Sequence, residues 1–189
     1  GYIADGMASR IAVIDLDGCI IDDINPKFEE KFPMHKGILN SAIRELIFET
    51  SHFIPLRKDF FSKLLENGKI DEHVINAMKA MQEKGIELHV VTKHKGLEKE
   101  WLVDELGKHG VKIRSEDIHI VNGNKASTIN GLGAETVIED QFDSIFKLRE
   151  GARIILLERS YNRISLGILK LLRRNIEVIK PEEIEKALQ

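Results

Sequence analysis

The sequence holds a single cysteine, Cys19, so no disulfide can join two parts of the chain. A lone thiol suits a reducing compartment, and a cytoplasmic location is expected. No apolar run approaches the roughly 18 residues that a membrane span requires, so no membrane is expected as a partner. The first ten residues, "GYIADGMASR", lack the basic start and apolar middle of a secretory leader. Met7 is a candidate start of the natural chain, and the six residues before it are left out of the fold argument. An excess of one charge sign is missing too. The formal net charge is -3, which argues against a nucleic-acid polymer and against polybasic attachment to a membrane surface. Neither an internal repeat nor a low-complexity tract occurs.

What is present is enough for a packed core. The chain has 189 residues, 42% of them hydrophobic, which fits one main domain with room for a modest insertion. Apolar runs of strand length recur: Ile11 to Ile14, Ile86 to Val91, Ile118 to Val121, Thr136 to Ile138, Ile154 to Leu157 and Ile176 to Ile179. Runs that are apolar almost throughout suit a parallel sheet buried on both faces. Helical stripes lie between them. Asp71 to Gly85 aligns Val74, Ala77, Met78 and Met81, with Asp71 as the starting cap and Gly85 at the end. Gly96 to Gly110 aligns Leu97, Trp101, Leu102 and Leu106. Phe142 to Gly151 and Ile164 to Asn175 read as helices as well, and Pro181 marks a first helical position.

The alternation predicts an α/β fold with a doubly wound parallel sheet, Rossmann-like in its layers. One stretch breaks the rhythm. Residues 25–70 carry no parallel-strand signal; "ILNSAIRELIFETS" and "LRKDFFSKLLENG" read as helices punctuated by Pro26, Pro33 and Pro55. The expected division is a core of residues 7–24 and 71–189, with a small helical cap at 25–70 inserted after the first strand.

The first strand ends in "DLDGC". Asp15 and Asp17 are two residues apart, so on extended chain their side chains leave on the same side. They sit at the carboxyl edge of the sheet, where open α/β sheets bind ligands. Two like charges so close repel, and a proton or a cation relieves the repulsion. A hard divalent ion such as Mg2+ takes oxygen ligands of this kind. Alone, D-x-D-G is a weak signal. A plain strand-ending turn would explain it, although an EF-hand would not, because Gly18 comes too early. The ends of the other strands add to it. "HVVT" stops at Thr92, "IHIVNGNK" leads to Lys125, and "TVIED" stops at Glu139 and Asp140 with Asp143 nearby. One edge would thus collect a carboxylate pair, a hydroxyl, a cation and a second acidic cluster.

These segments, "AVIDLDGCI", "LHVVT", the lysine of "NGNKAS" and "VIEDQFDS", resemble the four ordered motifs of the haloacid dehalogenase-like (HAD) superfamily. The resemblance covers Ile11 to about Leu157 and does not name a substrate. It implies a HAD core with a helical cap and a phosphatase acting with Mg2+. Asp15 would be the nucleophile that forms an aspartyl-phosphate, and Asp17 the general acid and then base. Leu16, Lys93 (through their amides) and Thr92 would hold phosphoryl oxygens, and Lys125 would offset the shared negative charge. Metal ligands would come from Asp15, Asp17 (through its carbonyl) and Asp140, supported by Glu139 and Asp143. Cys19 stands where Thr or Val is more usual in the family, and an inert buried thiol is expected there.

Other signals fall away. "GNKAS" lacks the spacing of a P-loop, and "NGLGAE" precedes a strand where a dinucleotide site would follow one. The seven histidines show no zinc spacing, and His94, just past Thr92, is expected at the surface. The loop in "ILLERSYNR", with Tyr161, Asn162 and Arg163, resembles one in the small 5'-nucleotidase (deoxyribonucleotidase-like) branch, which implies a nucleoside monophosphate. Phe48, His52, Phe53, Phe60 and Phe61 are expected to pack the cap. The partner expected is a small phosphorylated metabolite. A sugar-phosphate phosphatase or phosphomutase, or a non-catalytic phosphate-binding module on the same fold, stands as the alternative.

Overall fold

The computed structural model describes residues 10–21, 69–141, 145–159, 162–172 and 175–189. Six strands form one parallel sheet: β1 (Ile11–Ile14), β2 (Glu87–Thr92), β3 (Ile118–Ile120), β4 (Thr136–Glu139), β5 (Arg153–Leu157) and β6 (Ile176–Ile179). Their order in the sheet is β3-β2-β1-β4-β5-β6. Every pairing is parallel, with Ala12 beside Leu88 on one flank and beside Thr136 on the other.

The apolar strands are explained by cover on both faces. Side chains alternate along β1: Ala12 and Ile14 enter one core cluster and Val13 the other. The first cluster takes α1 (Glu72–Glu83), α2 (Lys99–Lys108) and the short α5 (Ile184–Ala187) through Val74, Met78, Leu102, Leu106 and Ile184. The second takes α3 (Ala126–Leu132) and α4 (Arg163–Leu172) through Ile129, Leu166 and Leu169. Each fully buried Ile or Leu contributes about 1.5–3 kcal/mol of burial free energy. Among the described residues, no helix is long and apolar enough to cross a membrane.

α1 begins as expected. The Asp71 carboxylate accepts from the His73 and Val74 amides at 2.9 and 3.2 Å, satisfying donors that the first turn leaves open. Three local expectations change. Trp101 is 38% exposed, because α2 starts only at Lys99 and Leu97 packs from the preceding loop; Leu102 and Leu106 carry the buried stripe. In the segment read as a helix from Phe142, the described part is a 3-10 turn, Ile145–Lys147, in which Ile145 and Leu148 are both buried. Spacing by three suits that tighter turn. Finally, α3 is a helix that Asn130 and Gly131 concealed in the sequence.

The two ends of the insertion meet. Ile21 forms an antiparallel bridge with Ile70, and the Asp71 amide donates to the Ile20 carbonyl at 2.8 Å. The segment expected to form a helical cap, 25–70, with its aromatic residues, lies outside the described residues save for Lys69 and Ile70.

Candidate active site

The strand order reverses at β1, which connects onward to β2 on one side and lies against β4 on the other. A crevice at the carboxyl ends of strands arises at such a reversal. β1 and β4 deliver Asp15, Glu139 and Asp140 there.

Asp15 continues β1 by one ladder bond, its amide donating to the Ile138 carbonyl at 3.0 Å. The chain then turns tightly. Gly18, at φ +83°, donates to the Ile21 carbonyl, and the Ile21 amide donates back to Leu16. Only glycine takes that left-handed φ without strain. Asp15 Oδ1 accepts two bonds, from the Leu16 amide at 2.9 Å and from Lys125 Nζ at 2.6 Å. Lys125 also donates to Glu139 Oε1 at 2.8 Å, while Glu139 Oε2 accepts from the Asp140 amide at 3.2 Å. Lys125 reaches inward from the start of α3, where Asn124 Oδ1 accepts from the Ala126 amide at 2.8 Å. All four charged residues are buried.

Burial sets the electrostatics. Desolvation is the main cause that lifts the Asp15 carboxyl from 3.8 to about 7; Lys125 pulls it down and Asp140 adds to the rise. Desolvation, with the Asp15 charge, lifts Glu139 to about 8. Burial opposes the Lys125 charge, but Asp15 and Glu139 outweigh it and hold the ammonium protonated. Three buried carboxyl groups thus crowd together, two of them on one ammonium, and the upward push on Asp15 and Glu139 marks a concentration of negative charge that a divalent cation would relieve. Ligand atoms of Asp15, Asp140 and Cys19 lie within 4.8 Å of one another. Burial, then the charges of Asp140 and Asp15, push the Cys19 thiol well up, so it stays neutral, and the oxygen donors suit a hard divalent cation. A second group, Glu87, His89 and Asp117, lies on β2 and just ahead of β3; Arg114 donates to both oxygens of Asp117 and meets its charge.

A pH dependence follows from Asp15. An unfolded aspartate ionises near its ordinary 3.8 while the folded one holds its proton to about 7. The contribution to stability is therefore complete below about 4 and lost as pH rises through about 7. In EDTA, thermal unfolding of the Asp15→Asn variant should gain on wild type as pH rises from 5 to 8. Mg2+ should raise the wild-type midpoint more at pH 8 than at pH 5. A metal effect independent of pH would contradict this.

Asp17 and Thr92 join the cluster through a residue expected elsewhere. His94 is buried, not at the surface. Its amide donates to Thr92 Oγ1 at 3.1 Å, and its ring Nδ1 stands 3.2 Å from Asp17 Oδ2. Extended chain past Thr92 turns residue 94 to the same side as residue 92, a signal that was present in the spacing. Lys93, between them, is exposed, and Asp143 lies outside the described residues.

The loop after β5 turns polar side chains inward. Asn162 is buried; its amide donates to the carbonyls of Asp140 and Leu157 at 2.8 and 2.9 Å, and its Oδ1 accepts from the Arg159 amide at 2.7 Å. Arg159, also buried, donates to the Gly18 and Cys19 carbonyls at 2.8 and 3.2 Å and pairs with Asp71 at 3.0 Å. Arg163 pairs with Glu158, and Tyr161 lies outside the described residues. This loop therefore holds the Asp140 backbone and the Asp15–Ile21 turn in place.

Solved structures share this architecture. A HAD hydrolase of family IA, variant 3, from Entamoeba histolytica superposes with a TM-score of 0.52 at 16% identity, covering 95% of this chain and 99% of that one. The fold is that of the HAD-superfamily hydrolases. A protein described as a phosphoglycolate phosphatase, from Lactobacillus delbrueckii subsp. bulgaricus, gives a TM-score of 0.52 at 14% identity over 95% of this chain and 98% of that one. No family model and no curated protein matches the sequence. In this fold the carboxyl ends of β1, β2 and β4 and the start of α3 bring Asp15, Thr92, Glu139, Asp140 and Lys125 to one edge of the sheet.

Proposed function

We propose that this chain is a Mg2+-dependent phosphohydrolase that cleaves a small phosphomonoester through an aspartyl-phosphate on Asp15. The observation that carries the reading is Lys125 Nζ held at 2.6 Å from Asp15 Oδ1 in a buried site. With Oδ1 engaged by Lys125, attack on phosphorus falls to Oδ2. The bond from phosphorus to the leaving oxygen breaks as the new one forms, and Asp17 gives that oxygen a proton. Water then attacks the phosphoryl group, Asp17 takes a proton back, and phosphate leaves with the Asp15 carboxylate restored.

Asp15, Asp140 and the Asp17 carbonyl would hold the Mg2+, with Glu139 and Asp143 in support. When bound, the ion supplies charge to the phosphoryl oxygens and lowers the repulsion between phosphate and carboxylate. Lys125 shares that task from the protein side. Thr92 and the amides of Leu16 and Lys93 would seat the remaining oxygens; the Leu16 amide would leave Asp15 Oδ1 to do so. A cap over the crevice would exclude bulk water.

A nucleoside monophosphate is the substrate class that the loop at 161–163 favours. Inward-facing Asn162 weakens that support, and the phosphoglycolate phosphatase neighbour gives reason to include small carboxylated and sugar phosphates. With Mg2+, wild-type protein should hydrolyse para-nitrophenyl phosphate, and EDTA should remove essentially all of this turnover. No metal-dependent turnover would favour a non-catalytic phosphate-binding module. A metabolite panel in which sugar phosphates outrun nucleotides would discard the nucleotide while keeping the phosphatase.

A further inference from the structure

His94 is a buried imidazole beside the proposed acid and base, and no step so far uses it. Its position is fixed at two points. The backbone is tied down by the bond from its amide to Thr92 Oγ1, and the ring meets Asp17 Oδ2 at 3.2 Å. The Asp17 side chain is otherwise partly open, 23% exposed. A terminal carboxyl rotates broadly about its last torsion, so an unheld Asp17 would present either oxygen to the crevice.

An ionised carboxylate only accepts, so the ring nitrogen facing it must carry the hydrogen. We propose that His94 is a positioning residue, whose Nδ1–H holds Asp17 Oδ2 and thereby assigns the transferred proton to Oδ1. This rests on the phosphatase reading and adds to it a reason for the buried histidine. The proton then moves between Oδ1 and the leaving oxygen in the first step, and between water and Oδ1 in the second. The imidazole keeps its own proton throughout. Thr92 is drawn into the same device, since it holds the His94 backbone while serving the phosphoryl group.

The test uses leaving groups of different quality. A poor leaving oxygen depends on a well-placed acid far more than a good one does. In kcat/KM, which reports formation of the aspartyl-phosphate, His94→Leu should lose at least about tenfold more on phenyl phosphate than on para-nitrophenyl phosphate, within the 10²–10⁴ span of general acid catalysis. The ratio of the two substrates is unaffected by any fraction of misfolded protein. His94→Asn places an amide NH where Nδ1 stands and should restore the wild-type ratio. In an Asp17→Asn background, His94→Leu should no longer change the ratio. Equal losses on both substrates, or a loss that asparagine does not restore, would overturn the positioning role and leave the phosphatase reading standing. A wild type inactive on both substrates would overturn both.

Discussion

Asp15→Asn should lower turnover of para-nitrophenyl phosphate at least about a hundredfold. The carboxamide fits the same space but is a poor nucleophile and cannot form the acyl phosphate. Lys125 would keep Glu139 as a partner at 2.8 Å, so the site should remain assembled. The fold should hold as well, since a neutral side chain at 15 avoids the desolvation that lifts the Asp15 carboxyl to about 7. Loss of activity together with undiminished stability in the absence of metal is thus the expected pair of results. Their coexistence separates a chemical role from a structural one. Activity within a few-fold of wild type would remove Asp15 from the nucleophile's place.

The second large effect is on stability. Arg159→Ala should destabilise the protein by about 3–5 kcal/mol, the range for breaking a buried ion pair by deleting one partner. Arg159 and Asp71 side chains are 3% and 6% exposed. Without the guanidinium, Asp71 keeps only its helix-capping amides, and the Gly18 and Cys19 carbonyls lose their donor. The loss should appear as a lower denaturant midpoint in urea. Arg159→Leu with Asp71→Asn should recover part of it, because no unpaired buried charge remains. The single variant should also weaken catalysis, since the turn that carries Asp17 loses the donor to its Gly18 and Cys19 carbonyls. A midpoint shift below about 1 kcal/mol would show that the clamp is dispensable, as exposed pairs are.

Both predictions rest on residues of different visibility. Asp15 was legible in the sequence because its signal is local: an apolar strand, then acids at a spacing of two, then glycine. Lys125, Glu139 and Asp140 were legible in the same manner, each at the end of a strand or the start of a helix. The structure brings Lys125 and Glu139 against Asp15, as strand ends on one sheet edge should be. The six strands were readable too, to within about a residue at most ends, since cover on both faces leaves nearly unbroken apolar runs. The turn of Ile145–Lys147 was overextended into a helix because a three-residue spacing serves both patterns. α3 was missed because helix-weak asparagine and glycine occupy its second half.

By itself the sequence determined the layers, the strands and the residue types that their ends present. Periodicity and end residues follow from local stereochemistry, which neighbouring positions reveal. Tertiary structure alone decided that His94 meets Asp17 across 77 residues and that Arg159 reaches Gly18 across 141. A histidine or arginine looks the same in sequence whether solvated or buried. Only the packed chain supplies the carboxylate or carbonyl that makes burial of its polar atoms favourable.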